Sequence, residues 1–110
     1  MSVQRSEFDS MADLFGALAA KLGEISVDVR GEMVDYRRGD VRFAVVDEAG
    51  AELRLDPEIA EAARRTPSAT ASPRGAEWVR FAPPVLDSHT IDRAEAWFLS
   101  AWREAGPPGR

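Results

Sequence analysis

An α+β fold is expected from three observations on this 110-residue chain. Apolar residues recur at three- and four-residue spacing near both ends. They alternate at every second position through much of the middle, and short Gly-containing turns join those alternating runs. Runs joined by hairpins pair antiparallel. The expected architecture is therefore an antiparallel sheet of about four to five strands with three packed helices, in the order α-β-β-β-α-β-α. A chain of this length buries roughly two thirds of its unfolded surface, which is enough for one core. A single domain over residues 10–105 is expected, with residues 1–9 and 106–110 as flexible ends.

The first helix follows Ser10, with Met11, Leu14, Phe15, Leu18 and Leu22 forming one apolar stripe. Ser10 suits the N-cap, Asp13 the positive end of the helix, and Gly23 a left-handed stop. In the next run Ile25, Val27 and Val29 share one face, and Ser26, Asp28 and Arg30 the other. The alternation slips near Gly31, which marks either a bulge or a break between two short strands. Arg37-Arg38-Gly39-Asp40 is expected as a hairpin turn. Strands over residues 41–47 and 51–55 follow, separated by Glu48-Ala49-Gly50.

Asp56-Pro57-Glu58 combines a capping carboxylate, a proline at the first helical position and an acid at the positive end of the dipole. It predicts a helix of two to three turns to about residue 65, with Ile59, Ala62 and Ala63 inward. Residues 66–76 are small, polar and broken by proline, so a surface loop is expected. A strand over residues 77–81 ends at Pro83-Pro84. A last helix runs from about residue 88 or 90 to 105, with Ile91, Ala94, Phe98, Ala101 and Ala105 inward and Trp97 and Trp102 beside that stripe.

Composition narrows the chemistry. The absence of Cys excludes disulfides, thiolate metal sites and cysteine nucleophiles. The single His89 has no second imidazole to share a ligand with, and no metal or cofactor is expected. The net charge of −5 disfavours nucleic-acid binding driven by overall charge. The charge is uneven, however: residues 1–36 sum to −4, residues 37–80 to zero and residues 81–110 to −1. No stretch approaches the ~20 apolar residues of a membrane span, and MSVQRSEFDS lacks a signal-peptide core. A cytoplasmic, non-membrane protein is the expectation.

Several residues carry a resemblance to a known family. The runs RFAVVDEAG and AELRLDPE, the small-residue loop before Glu77-Trp78-Val79-Arg80-Phe81, and the closing aromatic helix resemble the MmcQ/YjbR-like family, relatives of the TfoX N-terminal domain. With the first helix and hairpin, the likeness spans about residues 10–105. It implies a compact α+β domain with an antiparallel sheet, and a DNA-binding role. None of the shared motifs is catalytic.

Two candidate surfaces emerge. With Phe43, Val45, Leu53, Leu55, Val79 and Phe81 toward the core, Arg42, Arg54, Trp78 and Arg80 share the opposite face. An indole among guanidiniums suits base stacking and phosphate contact. A second patch would join the turn arginines Arg37 and Arg38 with Arg64 and Arg65 at a helix end and Arg74 in the loop. Against this, Glu52 and Glu77 can neutralise the arginines, and Ala44 and Val46 on the same face suit a covering helix. The alternative is a protein partner or homodimer anchored on Trp97 or Trp102 of the last helix. The carboxylates form no desolvated pair in the sequence pattern, so a non-enzymatic domain is expected.

Overall fold

The computed structural model describes residues 10–106, so the expectations for the two ends fall mostly outside the described residues. Helix α1 (Met11–Lys21) is capped as anticipated: Ser10 Oγ accepts the Asp13 N–H at 3.1 Å, and Met11, Leu14, Phe15 and Leu18 are buried. Its exit differs. Leu22 is extended, and the left-handed residue is Glu24 (φ 67°), not Gly23. A non-glycine residue in that region costs roughly 1 kcal/mol, and Arg38 holds Glu24 there through its side chain at 2.8 Å.

Strands β1 (Ile25–Arg30) and β2 (Met33–Arg38) form a regular hairpin over six residue pairs, with Gly31 at φ 61° opening the turn. The slip near Gly31 is thus a break between two strands. β2 continues through Arg37 and Arg38, so those two arginines are strand residues and Gly39-Asp40 alone makes the next turn, to β3 (Val41–Val46). β4 (Ala51–Arg54) leads to α2 (Pro57–Arg64), where Asp56 accepts the Glu58 N–H and Pro57 begins the helix. α2 buries Ala60 and Ala63, while Ile59 and Ala62 are exposed. The short helix lies against the next two strands on its small side chains, which allow close approach.

The 66–76 segment is not only a loop. Ala69–Ala71 forms β5, antiparallel to β6 (Trp78–Phe81), so the sheet has six strands in the order β1-β2-β3-β4-β6-β5, every neighbour antiparallel. Pro67 and Pro73 mask this strand in the sequence; both lie just outside it, and an edge strand tolerates proline there. Finally α3 (Ser88–Glu104) is capped by Asp87, which accepts the Thr90 N–H at 2.9 Å and has a lowered pKa because of that backbone bond.

All three helices join one core with alternate strand residues Tyr36, Ala44, Leu53 and Val79. Phe98 is at its centre, 4.5 Å from Phe15, 5.2 Å from Phe43 and 5.6 Å from Tyr36 between ring centroids. Burial pushes the Tyr36 phenol up to about 12, with the Asp13 charge acting in the same direction.

The phase of β3 departs from simple alternation. The β2–β3 register shifts between Tyr36, opposite Ala44, and Arg37, opposite Arg42, leaving Phe43 as an extra residue. A bulge of this kind turns two consecutive side chains to one side, and Phe43 and Ala44 both enter the core. Beyond it the alternation is reversed. Ala44 and Val46 face the helices, and Val45, expected in the core, lies on the opposite face, yet is buried there.

Candidate functional site

The helix-free face of the sheet carries the chemistry. Cross-strand pairing sets one row across it: Asp28, Asp35, Val45, Glu52, Arg80 and Thr70. The cross-strand pairs Arg37–Arg42 and Arg54–Trp78 both lie on the same side of that row. The fold therefore brings Arg37, Arg42, Arg54, Trp78 and Arg80 to one surface. Arg38, one residue out of phase with Arg37, is on the helix side.

These arginines are largely engaged within the chain. Arg80 makes a two-pronged contact with Asp47 at 3.0 and 3.1 Å. That contact holds the Asp47 carboxyl below its ordinary range, helped by the Gly50 and Ala49 amides, and raises the Arg80 guanidinium in turn. Glu52, only 6% exposed, accepts from Ser72 Oγ at 2.8 Å and Arg74 Nε at 2.6 Å, with Arg80 at 3.8 Å. Arg54 is 3.4 Å from Glu77. Asp35, 3% exposed, stands 3.5 Å from both Arg30 and Arg42, and neither its Oδ2 nor Arg42 Nε has a hydrogen-bond partner among the described residues. Of the four arginines on this surface, Arg37 alone has no carboxylate within ion-pair distance among the described residues. The face is a lattice of paired charges around buried Val45. Such a lattice holds strands in register, with few cations left for phosphate.

The tryptophans are also occupied. Trp97 packs edge-on against Phe81 at 5.0 Å. Trp102 Nε1 donates to the Gly23 carbonyl at 3.0 Å, and the Arg38 guanidinium lies 3.9 Å from its ring centroid. Arg38 also donates to the Trp102 carbonyl and to Glu24, so it ties the end of α3 to the α1–β1 connection. Both indoles are half-buried. Arg64 donates to the Ala76 carbonyl, Arg65 pairs with Glu61 and Arg74 with Glu52, so the second arginine patch does not assemble around Arg37 and Arg38.

Two clefts open at the sheet's margins. One of about 390 Å³ lies by Glu32, Asp47, Glu48 and Leu86, and another of about 620 Å³ by Ile25, Arg38, Val41 and Ala105. Asp47, the best-defined acid in the first, is committed to Arg80 and to its own turn. Among the described residues no group of three His, Asp or Glu side chains is placed to hold a metal, and no helix is long and apolar enough to cross a membrane.

Reasoning from the sequence passed over the edge of the sheet. On β1 the side chains facing the helix layer are Ile25, Val27 and Val29, opposite Arg38, Tyr36 and Val34. The helices cover Ile25 in part but not the two valines: Val27 is 51% exposed and Val29 66%. The signal was present in the alternation of residues 25–30, which marks a strand with an apolar face. Periodicity does not tell whether a helix covers that face. No family model, curated protein or solved structure matches this chain.

Proposed function

We propose that this is a cytoplasmic, non-enzymatic protein-interaction domain that receives its partner along β1. The observation behind this reading is the pair Val27 and Val29, more than half exposed on a six-residue strand with no neighbour on its outer side among the described residues. An extended segment adding to such an edge gains backbone hydrogen bonds and covers the valines together. A photo-crosslinking residue at position 29, with position 62 on the exposed side of α2 as control, tests it. Adducts at 29 and not at 62, identified by mass spectrometry, are the expected result. Equal or absent labelling at the two positions refutes the reading.

A second reading, nucleic-acid binding, is favoured by one observation. Arg37 and Arg42 are direct cross-strand neighbours, and like charges so placed repel unless an anion lies between them. The family resemblance points the same way. Fluorescence anisotropy with single- and double-stranded oligonucleotides at low and near-physiological salt decides it. Salt-sensitive binding lost in Arg37→Ala and Arg42→Ala supports this reading, and no binding at low salt removes it.

A further inference from the structure

The two edges of the sheet are built differently. β5 is three residues long, has Pro67 and Pro73 close to either end, and packs beside α2. Short length, proline and a covering helix are the usual devices that blunt an edge. β1 has none of them. It contains no proline and no lysine, pairs with β2 over six residues without a bulge, and points uncharged valines toward the helix side.

Its backbone polarity follows from the hairpin. The two-residue turn Gly31-Glu32 makes Arg30 and Met33 the closing hydrogen-bonded pair, so Ser26, Asp28 and Arg30 direct their amides toward β2. Ile25, Val27 and Val29 direct theirs outward. The exposed valines and the free amides thus belong to the same residues.

Resting on the interaction reading above, we infer that the partner is a second copy of this chain, joined β1 to β1 antiparallel about a two-fold axis at Val27. Residues facing each other across such an axis must share a face of the sheet, which restricts the registers. Centred on Val27, the helix side reads Ile25–Val29, Val27–Val27 and Val29–Ile25, an unbroken apolar row. The open side places Ser26 opposite Asp28 at two symmetry-related positions, a hydroxyl donor facing a carboxylate each time. Centred on Asp28, the same strand would face two carboxylates at the closest spacing. Centred on Val29, it would oppose Val27 to Gly31 and leave Ile25 beyond the pairing. The alternatives oppose like charges or break the apolar row, and the Val27 register does neither.

A contact of about six residues a side is well below the roughly 20–30 of a standard specific interface, so the dimer is weak, reversible and concentration-dependent. Sedimentation velocity should show the average mass climbing from 12.1 kDa toward twice that value as concentration rises. Val27→Lys sets two like charges across the axis and should hold the protein monomeric. Because Val27 is half exposed, its thermal midpoint should stay close to that of the parent. The chain has no cysteine, so Val27→Cys adds a unique thiol, and under oxidation it should form a disulfide dimer much faster than Val29→Cys or Ala62→Cys. Only a residue on the axis meets its own copy.

A wild-type monomer at every concentration overturns the inference, as does a Val27→Lys variant that still associates or a Val29→Cys variant that cross-links faster than Val27→Cys. A monomer whose position-29 probe captures a different protein overturns the second copy as partner and leaves the interaction reading intact. A monomer with no adduct at position 29 removes both.

Discussion

Removing Glu52 should cost far more than removing an ordinary surface acid. Its carboxylate is buried and receives one neutral hydrogen bond, from Ser72, and one charged bond, from Arg74, with Arg80 nearby. A neutral bond contributes about 0.5–1.5 kcal/mol net and a charged one about 1.5–3. Arg74 and Arg80 keep 27% and 26% of their side chains in water, and solvent recovers part of the loss once the carboxylate is gone. Glu52→Ala is therefore expected to destabilise by about 2–3 kcal/mol, which for a domain of this size is a fall in Tm of roughly 10 °C. Urea unfolding followed by tryptophan fluorescence reads it as a lower midpoint at unchanged slope. Ser72→Ala in the Glu52→Ala background should cost less than in the parent, because its partner is already absent. A loss below about 0.5 kcal/mol, with additive double-variant behaviour, would place Glu52 among solvated surface pairs and refute the account of the open face.

Acidification should weaken the fold through Asp47, whose pKa is lowered first by Arg80. Its contribution is complete above the ordinary carboxylate range and disappears as pH falls through the lowered folded value. Asp47→Asn should flatten that part of the acid-stability curve. Tyr36, the only tyrosine, should form tyrosinate only near pH about 12 in the folded protein. Its raised value favours the fold below the free-phenol pKa, and that contribution is lost as pH rises toward about 12, so absorbance showing tyrosinate near pH ~10 in still-folded protein would refute the burial argument. Arg38→Ala releases Trp102 from its guanidinium and carbonyl contacts; a loss of about 1–2 kcal/mol and red-shifted tryptophan emission are expected, and unchanged emission would contradict the clamp. Two glycines should respond with opposite sign in thermal unfolding. At Gly50 a Cβ would stand 2.5 Å from the Phe81 carbonyl oxygen and 2.8 Å from Ala82, so Gly50→Ala should cost about 2–3 kcal/mol, whereas Gly16, in α1 with nothing within 4 Å, should gain up to about 1 kcal/mol as Gly16→Ala.

Local chemistry was legible where one residue type does one job. Ser10 and Asp56 cap their helices, Pro57 starts α2, and Glu52 and Glu77 meet arginines of the open face. Long-range register was not. The extra residue Phe43 in β3 becomes visible only against β2, so Val45 was assigned to the core and Ala44 and Val46 to the other side. Asp35 escaped notice for a related reason, because the break at Gly31 obscured which face the following residues share. β5 is a strand through its pairing with β6 rather than through its composition, since Ala69-Thr70-Ala71 has little strand character of its own. Trp97 and Trp102 stood beside the apolar stripe in the helical pattern. Their engagement depends on Phe81, Gly23 and Arg38, residues distant in the chain.

The unequal edges also govern how far association can run. A sheet open at both margins can extend without limit, each added molecule offering a fresh end to the next, which is how strand addition becomes a fibre. Here the far margin is closed by the short β5 strand with its flanking prolines. Whatever adds along β1 finds no second margin from which to propagate, so growth by this route terminates after one step. Loss of that closure, for instance by replacing Pro67 and Pro73 with strand-forming residues, would convert a self-limiting contact into a polymerising one.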